Sequence, residues 1–362
     1  MSVSLGTTVA TYGHGIRDAR ITQDQVGQLA EIHLAFLQRR PNGRRVILRN
    51  CDLSGLNLSR FDFSDSVFLD CDFSRTKIHG ARFARSNLFA SRFDHADLSH
   101  ADFSRCDLNA ASFESAILTN TLLEEADLNG GAIWQQGGEQ RLARNGCLFR
   151  LAMLQCASLT KAKLSNADFF GAVLEHTDLS GADLRSASFR GAELCDNNFH
   201  AAQMMDADLA GALITGDSLA AARNFSKGAI ITRLGKSELA KLLGDHERWV
   251  ESGGTKGARA DFSDISLAEG DFCGRNLSGA VFDRAVLVEA NFSGSRLLRA
   301  SFRDSNLARA IFAGADVRGA TFEGANMRDV SLDLARTGEP DSEDGLDLRA
   351  MVPISRGPAI LQ

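Results

Sequence analysis

Carboxylates, thiols and imidazoles are the side chains of this chain that could do chemistry, and their spacing decides what they can do. Aspartates stand at Asp52, Asp62, Asp72, Asp97, Asp102, Asp107, Asp127, Asp168, Asp178 and Asp183. Two carboxylates converging on one bond would supply a general acid and a general base. These instead recur at steps of five or its multiples within each stretch, which marks them as members of a repeat. The seven cysteines, Cys51, Cys71, Cys106, Cys147, Cys156, Cys195 and Cys273, form no CxxC. Four of them (51, 71, 106 and 147) share one recurring place, where a thiol serves as a small apolar side chain. Reduced thiols in a reducing compartment are expected. The histidines are scattered. His95 and His100 are one unit apart and fall on adjacent faces, which does not make a metal site. His33 and His246 lie on helix faces and read as structural. No GxxxxGK(S/T), HExxH or GxSxG occurs, and Gly130-Gly131 and Gly137-Gly138 read as loop punctuation. The expectation is a protein that is not an enzyme, with no catalytic, cofactor-binding or metal-binding residues.

The elements that position these side chains follow from a period that is neither 2 nor 3.6. Leu53, Leu58, Phe63, Phe68, Phe73, Ile78, Phe83, Leu88, Phe93, Leu98, Phe103, Leu108 and Phe113 arrive every fifth residue without a miss. The residue two places earlier is usually small, as at Ala96, Ala101, Cys106, Ala111 and Ala116. Such a period means one small unit stacked many times. A period of 20 lies over the period of 5. Phe63, Phe83 and Phe103 would form one column and Phe73, Phe93 and Phe113 the opposite one. Phe262, Phe282, Phe302 and Phe322 would form a third, opposite Phe272, Phe292 and Phe312.

Ala96-Asp97-Leu98-Ser99-His100, Ala182-Asp183-Leu184-Arg185-Ser186 and Ala290-Asn291-Phe292-Ser293-Gly294 resemble the A(D/N)LXX units of the pentapeptide repeat family. The resemblance covers about two-thirds of the chain. It implies a mainly β fold: a right-handed quadrilateral β-helix, four units to a coil, with the central Leu or Phe and the small residue pointing inward. The fold is expected in three runs, with capping α-helices near the N-terminus and in a central insertion. Asp or Asn between the inward residues suits a corner, where its side chain can bond nearby backbone.

The expected organisation is a flexible N-terminus (1–20), a capping helix and loop (21–45), a first array (46–133), a loop insertion (134–146), a second array (147–224), a helical insertion (225–259), a third array (260–332) and a disordered tail (333–362). Frame shifts between runs leave open one continuous rod or two or three shorter ones. Helix is expected over 22–40, stopped at Pro41, and over 235–252, with Ser237 as its cap. The two helical segments look related. Each carries a histidine (His33, His246) and is followed by Gly-x-Arg, at Gly43-Arg44-Arg45 and Gly257-Ala258-Arg259. Open rod ends expose unpaired backbone and need cover, and the helices are well placed to give it. Leu56 and Phe61 are large where a small residue is expected, which fits a wider end under a cap. Arg275 stands at an inward position, where an unpaired guanidinium would be costly. Its coil must be distorted, or its side chain must reach an end or the surface. Apolar patches at 351–354 and 359–361 could dock on the body or on a partner.

The net charge of −6 argues against direct nucleic-acid binding. No apolar run approaches a membrane span, and residues 1–20 lack the apolar core of a signal peptide, so a cytoplasmic protein is expected. Residues 46–133 carry 13 acids and 8 bases, 147–219 carry 9 and 5, and 260–332 carry 10 and 8. Some pentapeptide repeat proteins imitate duplex DNA and bind type II topoisomerases, so the resemblance brings DNA gyrase in as an alternative partner. Outward arginines (Arg75, Arg82, Arg85, Arg92, Arg105) interrupt the acidic stripe that strong mimicry needs. The leading expectation is a rigid rod offering surfaces to a protein partner whose identity the sequence does not give. A homodimer through a rod end is a further option.

Overall fold

Each five-residue unit has five backbone N–H groups to place, and the unit Ala101–Arg105 places all of them. In the unit Ala101–Arg105, the N–H of Ala101 turns back to Leu98 O (2.9 Å) and that of Asp102 goes to Ala81 O in the preceding coil (2.9 Å). Those of Phe103 and Arg105 go forward to Leu122 O and Glu124 O (both 2.8 Å). The fifth, on Ser104, donates to Asp102 Oδ1 (2.9 Å). This last bond is why Asp or Asn recurs before the central residue. The corner closes because the fifth residue turns left-handed, with φ of 57° at Arg105.

The structure is a computed structural model that describes residues 15–134, 140–215, 219, 222, 232–233, 236–339 and 354–356. Its elements are β1 (Ile16–Arg17), α1 (Gln23–Leu37), β2 (Ile47–Arg49), β3 (Val67–Leu69), β4 (Asn129–Trp134), β5 (Gln140–Gly146), β6 (Val173–Glu175), β7 (Glu193–Cys195), β8 (Leu213–Thr215), β9 (Thr232–Arg233), α2 (Lys236–Glu251), β10 (Arg259–Asp261), β11 (Ile265–Ser266) and β12 (Ile354–Arg356). The chain divides into two compact units. One comprises residues 1–189, 193–208 and 214–226, the other 190–192, 209–213 and 227–362.

In the first unit, parallel bridges join residues 20 apart, as Asn57, Lys77, Asp97 and Ile117 do in succession. β2 pairs with β3 and β6 with β7 in the same register. Between the first two runs the step widens to 36, at Ser112–Leu148, Ile117–Met153, Leu122–Ser158 and Asp127–Lys163. These two runs are therefore one continuous stack with sixteen residues spliced in. The splice was expected to be a loop; it is flanked by an antiparallel ladder, Asn129–Gly146 through Trp134–Gln140. Ile133 accordingly belongs to β4, and the Leu128 centre before it is fully buried.

The interior is filled as the 20-residue period requires. Phe73, Phe93, Phe113, Phe149, Phe169 and Phe189 stack in one file at 4.8–5.1 Å between ring centroids. Phe83 and Phe103 stack at 5.1 Å, and Phe63 tilts onto Phe83 at 5.6 Å. That spacing is close to the distance between neighbouring strands, so the rings keep step with the backbone. Polar small residues bond inward carbonyls: Ser86 Oγ to Phe63 O and Thr121 Oγ1 to Leu98 O (both 2.8 Å), Cys106 Sγ to Phe83 O (2.9 Å).

The second unit repeats the pattern. Phe262, Phe282, Phe302 and Phe322 stack at 4.9–5.1 Å, and Phe272, Phe292 and Phe312 at 4.8 Å. Bridges run on to Asp316–Arg336, so the array continues past 332 into the expected tail. In the same tail, β12 pairs parallel with β10, which is order where disorder was expected. Residues 340–353 and 357–362 lie outside the described residues.

Substituting Phe93→Ala should cost about 3–5 kcal/mol in chemical denaturation, because the ring is fully buried between two stacked neighbours. Ala201 holds the left-handed corner conformation with φ of 59°. Ala201→Gly should therefore raise stability by about 1 kcal/mol in the same assay.

Candidate functional surface

With the central residues buried, the outward side chains and the coil ends are what the protein presents to its surroundings. The aspartates are occupied by the fold. Asp52, Asp62, Asp72, Asp97, Asp102, Asp107, Asp168, Asp178 and Asp183 each accept the backbone N–H two residues on, at 2.8–3.3 Å. Asp127 accepts from Asn129 Nδ2 (2.9 Å) and Lys163 Nζ (2.7 Å).

Many acids also meet a base on the neighbouring coil. Arg85 pairs with Asp65 (2.7 Å), Arg105 with Glu125 (3.0 Å), and Arg92 with Asp72. In the second unit Arg284 pairs with Asp264 (2.6 Å), Arg309 with Glu289 (2.9 Å) and Arg336 with Asp316 (3.2 Å). The hydrogen bond from Arg85 holds the Asp65 carboxyl below its ordinary range, and Arg185 does the same for Asp183. A carboxylate held ionised and paired is a poor proton donor near neutrality. Among the described residues no group of three or more His, Cys, Asp or Glu is placed to hold a metal ion. His100 packs against His79, with centroids 5.2 Å apart, rather than against His95.

The coil ends are built with care. The first coil of the first unit is met by a strap, by Gln23 and by His33. β1 pairs with β2, which orders residues 15–20 where flexibility was expected. Ala19 O accepts from Asp52 N and Ile21 N donates to Asp52 O (both 2.9 Å). The Gln23 amide accepts from Asn57 N and donates to Asn57 O (both 2.9 Å), standing in for a missing coil. His33 Nδ1 accepts from Val46 N (3.1 Å), and its Nε2 lies 2.8 Å from Ser64 O. Those partners fix a neutral ring with the proton on Nε2. Leu56 and Phe61 are half-buried, with Phe61 edge-on to Phe63. Thr22 and Gln25 form the capping box that starts α1.

The second cap repeats four contacts of the first. His246 Nδ1 accepts from Ala260 N (3.1 Å), as His33 does from Val46. Arg45 and Arg259 each bond the carbonyl 20 residues on, at Asp65 and Gly279. Gly43 and Gly257 let the loop press on its helix, since a Cβ on either would lie 2.2 Å from helix backbone. Phe36 stacks on His33 and Trp249 on His246, both at 5.5 Å. α2 begins at Lys236, so Ser237 lies inside the helix and does not cap it. Arg275 escapes its inward position by pairing with Glu247 of α2 (2.8 Å).

The family model for "Pentapeptide repeats" matches in eight copies, over residues 47–85, 91–130, 145–171, 172–211, 260–297 and 300–336. The chain belongs to the pentapeptide repeat family. Among solved structures, this pentapeptide repeat protein is similar to HetL of the cyanobacterium Nostoc sp. strain PCC 7120. They share 22% identity over 86% of this chain and 95% of that one, with a TM-score of 0.29. It is also similar to QnrB1, a plasmid-mediated fluoroquinolone resistance protein, at 16% identity over 56% and 89% with a TM-score of 0.31. A third likeness is to a pentapeptide repeat protein of the Arabidopsis thaliana thylakoid lumen, at 23% identity over 38% and 68% with a TM-score of 0.18. No curated protein matches the sequence.

The caps give this pentapeptide repeat protein a pH signature. Burial, with Arg259 nearby, pushes the His246 imidazole down from 6.5 to about 4, and burial also lowers His33. The unfolded chain binds the proton first, so the His246 contribution is complete above pH 6.5. It falls by about 3 kcal/mol as pH drops to 4. Urea midpoints at pH 7.5 and 4.5 should show the loss, and His246→Gln should remove its share.

Proposed function

We propose that this protein is a non-enzymatic interaction scaffold: a right-handed quadrilateral β-helix, closed on four sides, that presents outward side chains and two helical caps to a protein partner. The observation that carries this reading is the double use of the acids. Turn N–H groups and arginines of neighbouring coils engage them, which leaves the surface patterned for contact rather than for catalysis. Large apolar side chains break that pattern on the first unit. Ile117 (39% exposed) and Met153 (38%) are bridge partners on successive coils, and Leu122 (41%) stands one unit on from Ile117. Clustered exposed apolar side chains favour protein contact. The reading includes a cytoplasmic location; among the described residues no helix is long and apolar enough to cross a membrane. A second copy of the chain could pair at the last coil of the third run, where Leu334 is 92% exposed.

Affinity capture from source cells with mass spectrometry should recover a stoichiometric protein partner, and Ile117→Asp combined with Met153→Asp should release it. Capture unchanged by these substitutions would remove the apolar patch from the interface. Recovery of no protein would overturn the scaffold reading.

The acid excess of the first two runs favours one other reading, a DNA mimic directed at a type II topoisomerase. The inter-coil arginine pairs weaken the field that mimicry requires. A supercoiling assay with purified DNA gyrase decides. No effect at equimolar protein is expected, whereas stoichiometric inhibition or protection from quinolones would install the mimic.

A further inference from the structure

Four cysteines occupy the small inward position, but they are not equivalent. Cys106 Sγ bonds Phe83 O (2.9 Å) and Cys147 Sγ bonds Leu108 O (3.1 Å), as the serines and threonines at this position do. Cys51 and Cys71 turn elsewhere, toward the carbonyl two residues before each, at Arg49 O (3.3 Å) and Leu69 O (3.5 Å). They stand one directly over the other, since their neighbours Asp52 and Asp72 are bridge partners on successive coils. The spacing of adjacent strands, about 4.8 Å, lies within the Cα separation that a disulfide spans. Both are unbridged and buried. Cys51 is the outermost residue of this column, covered by the short strap 15–20, whose Ile16 O lies 3.7 Å from its sulfur. The strap is half-buried to exposed, and such short edges open locally at low cost.

We propose that Cys51 and Cys71 are a peroxide-oxidisable thiol pair, a modification site at the capped end of the first unit. Cys51 is the nucleophile. It is the outermost thiol of the column and the first reached when the strap opens. The neighbouring Cys71 thiol also draws it down to about 7 against burial, while burial pushes Cys71 well above the ordinary thiol range. The Cys51 thiolate attacks one oxygen of hydrogen peroxide. The O–O bond breaks, and the departing hydroxide takes a proton and leaves as water. Cys51 is then a sulfenic acid. Cys71 sulfur attacks the Cys51 sulfur, its proton leaving with the hydroxyl as a second water. An S–S bond replaces the S–O bond. Two thiols and one peroxide give one disulfide and two waters, with two electrons passing from sulfur to peroxide. The product is neutral, which suits a dry interior better than a buried thiolate does.

The test uses the full chain with the more exposed thiols removed (Cys156→Ser, Cys195→Ser, Cys273→Ser), treated with hydrogen peroxide, alkylated and digested with trypsin. The two cysteines fall in separate peptides, 50–60 and 61–75. The expected result is a cross-linked pair of these peptides, forming at least tenfold faster than oxidation of Cys106 or Cys147. Adding Cys71→Ser should instead leave a Cys51 sulfenic acid that dimedone traps. Recovery of Cys51 and Cys71 as free thiols under conditions that oxidise Cys106 would overturn the proposal. So would a Cys71→Ser protein, folded by circular dichroism, that yields no dimedone adduct.

Discussion

No coil of this protein can satisfy its own backbone, and that constraint organises everything else. In the unit Ala101–Arg105 three of five N–H groups leave for a neighbouring coil, and only two are met within the same coil. A stack built this way is cooperative along its axis and incomplete at its ends. The first coil therefore needs substitutes for the coil that would precede it. The strap supplies backbone, Gln23 supplies an amide shaped like a peptide group, and His33 supplies an acceptor and a donor on one ring. The helix that carries these groups is held on the end by what it bonds as much as by the apolar area it covers.

The same economy explains why a surface crowded with carboxylates is chemically quiet. One oxygen of Asp102 holds the turn. Elsewhere a second acid on the same corner faces an arginine one coil away, as at Asp65 and Asp264. Exposed pairs of this kind contribute little each, but they flatten the local field. Such a surface presents shape, regular spacing and a few exposed apolar side chains more than it presents net charge.

What the sequence made legible was whatever the interior imposes. The leucine and phenylalanine period specified the columns, and the structure stacks Phe73, Phe93 and Phe113 as that period requires. The histidine shared by the two helical segments was legible as a relation between them, though not as a bond to Val46 or Ala260. Arg275 was legible as a conflict, which Glu247 resolves from a helix 28 residues away. The misses share one cause. β1, β12 and the ladder flanking the splice are held by backbone at an edge, and edge pairing needs no side-chain pattern. Ile133 fitted the period by type and still belongs to a ladder. The pairing of Cys51 with Cys71 was hidden differently, because a thiol and an alanine look alike to a rule that asks only for small residues.

Comparison of the two caps separates what is essential from what varies. Histidine to backbone N–H, arginine to the carbonyl 20 residues on, glycine against the helix and an aromatic ring on the histidine recur in both. The outer histidine nitrogen differs. His33 Nε2 has Ser64 O, whereas His246 Nε2 and Trp249 Nε1 are buried with no hydrogen-bond partner among the described residues. A buried donor left unmet costs about 1–3 kcal/mol. The larger Trp249 ring, fully buried where the first cap has a half-buried Phe36, offsets part of that with apolar area. The bond that persists is the one made to the N–H that opens each array, at Val46 and Ala260. A cap of this kind is defined by the backbone group it must satisfy, and the rest of its surface is free to diverge.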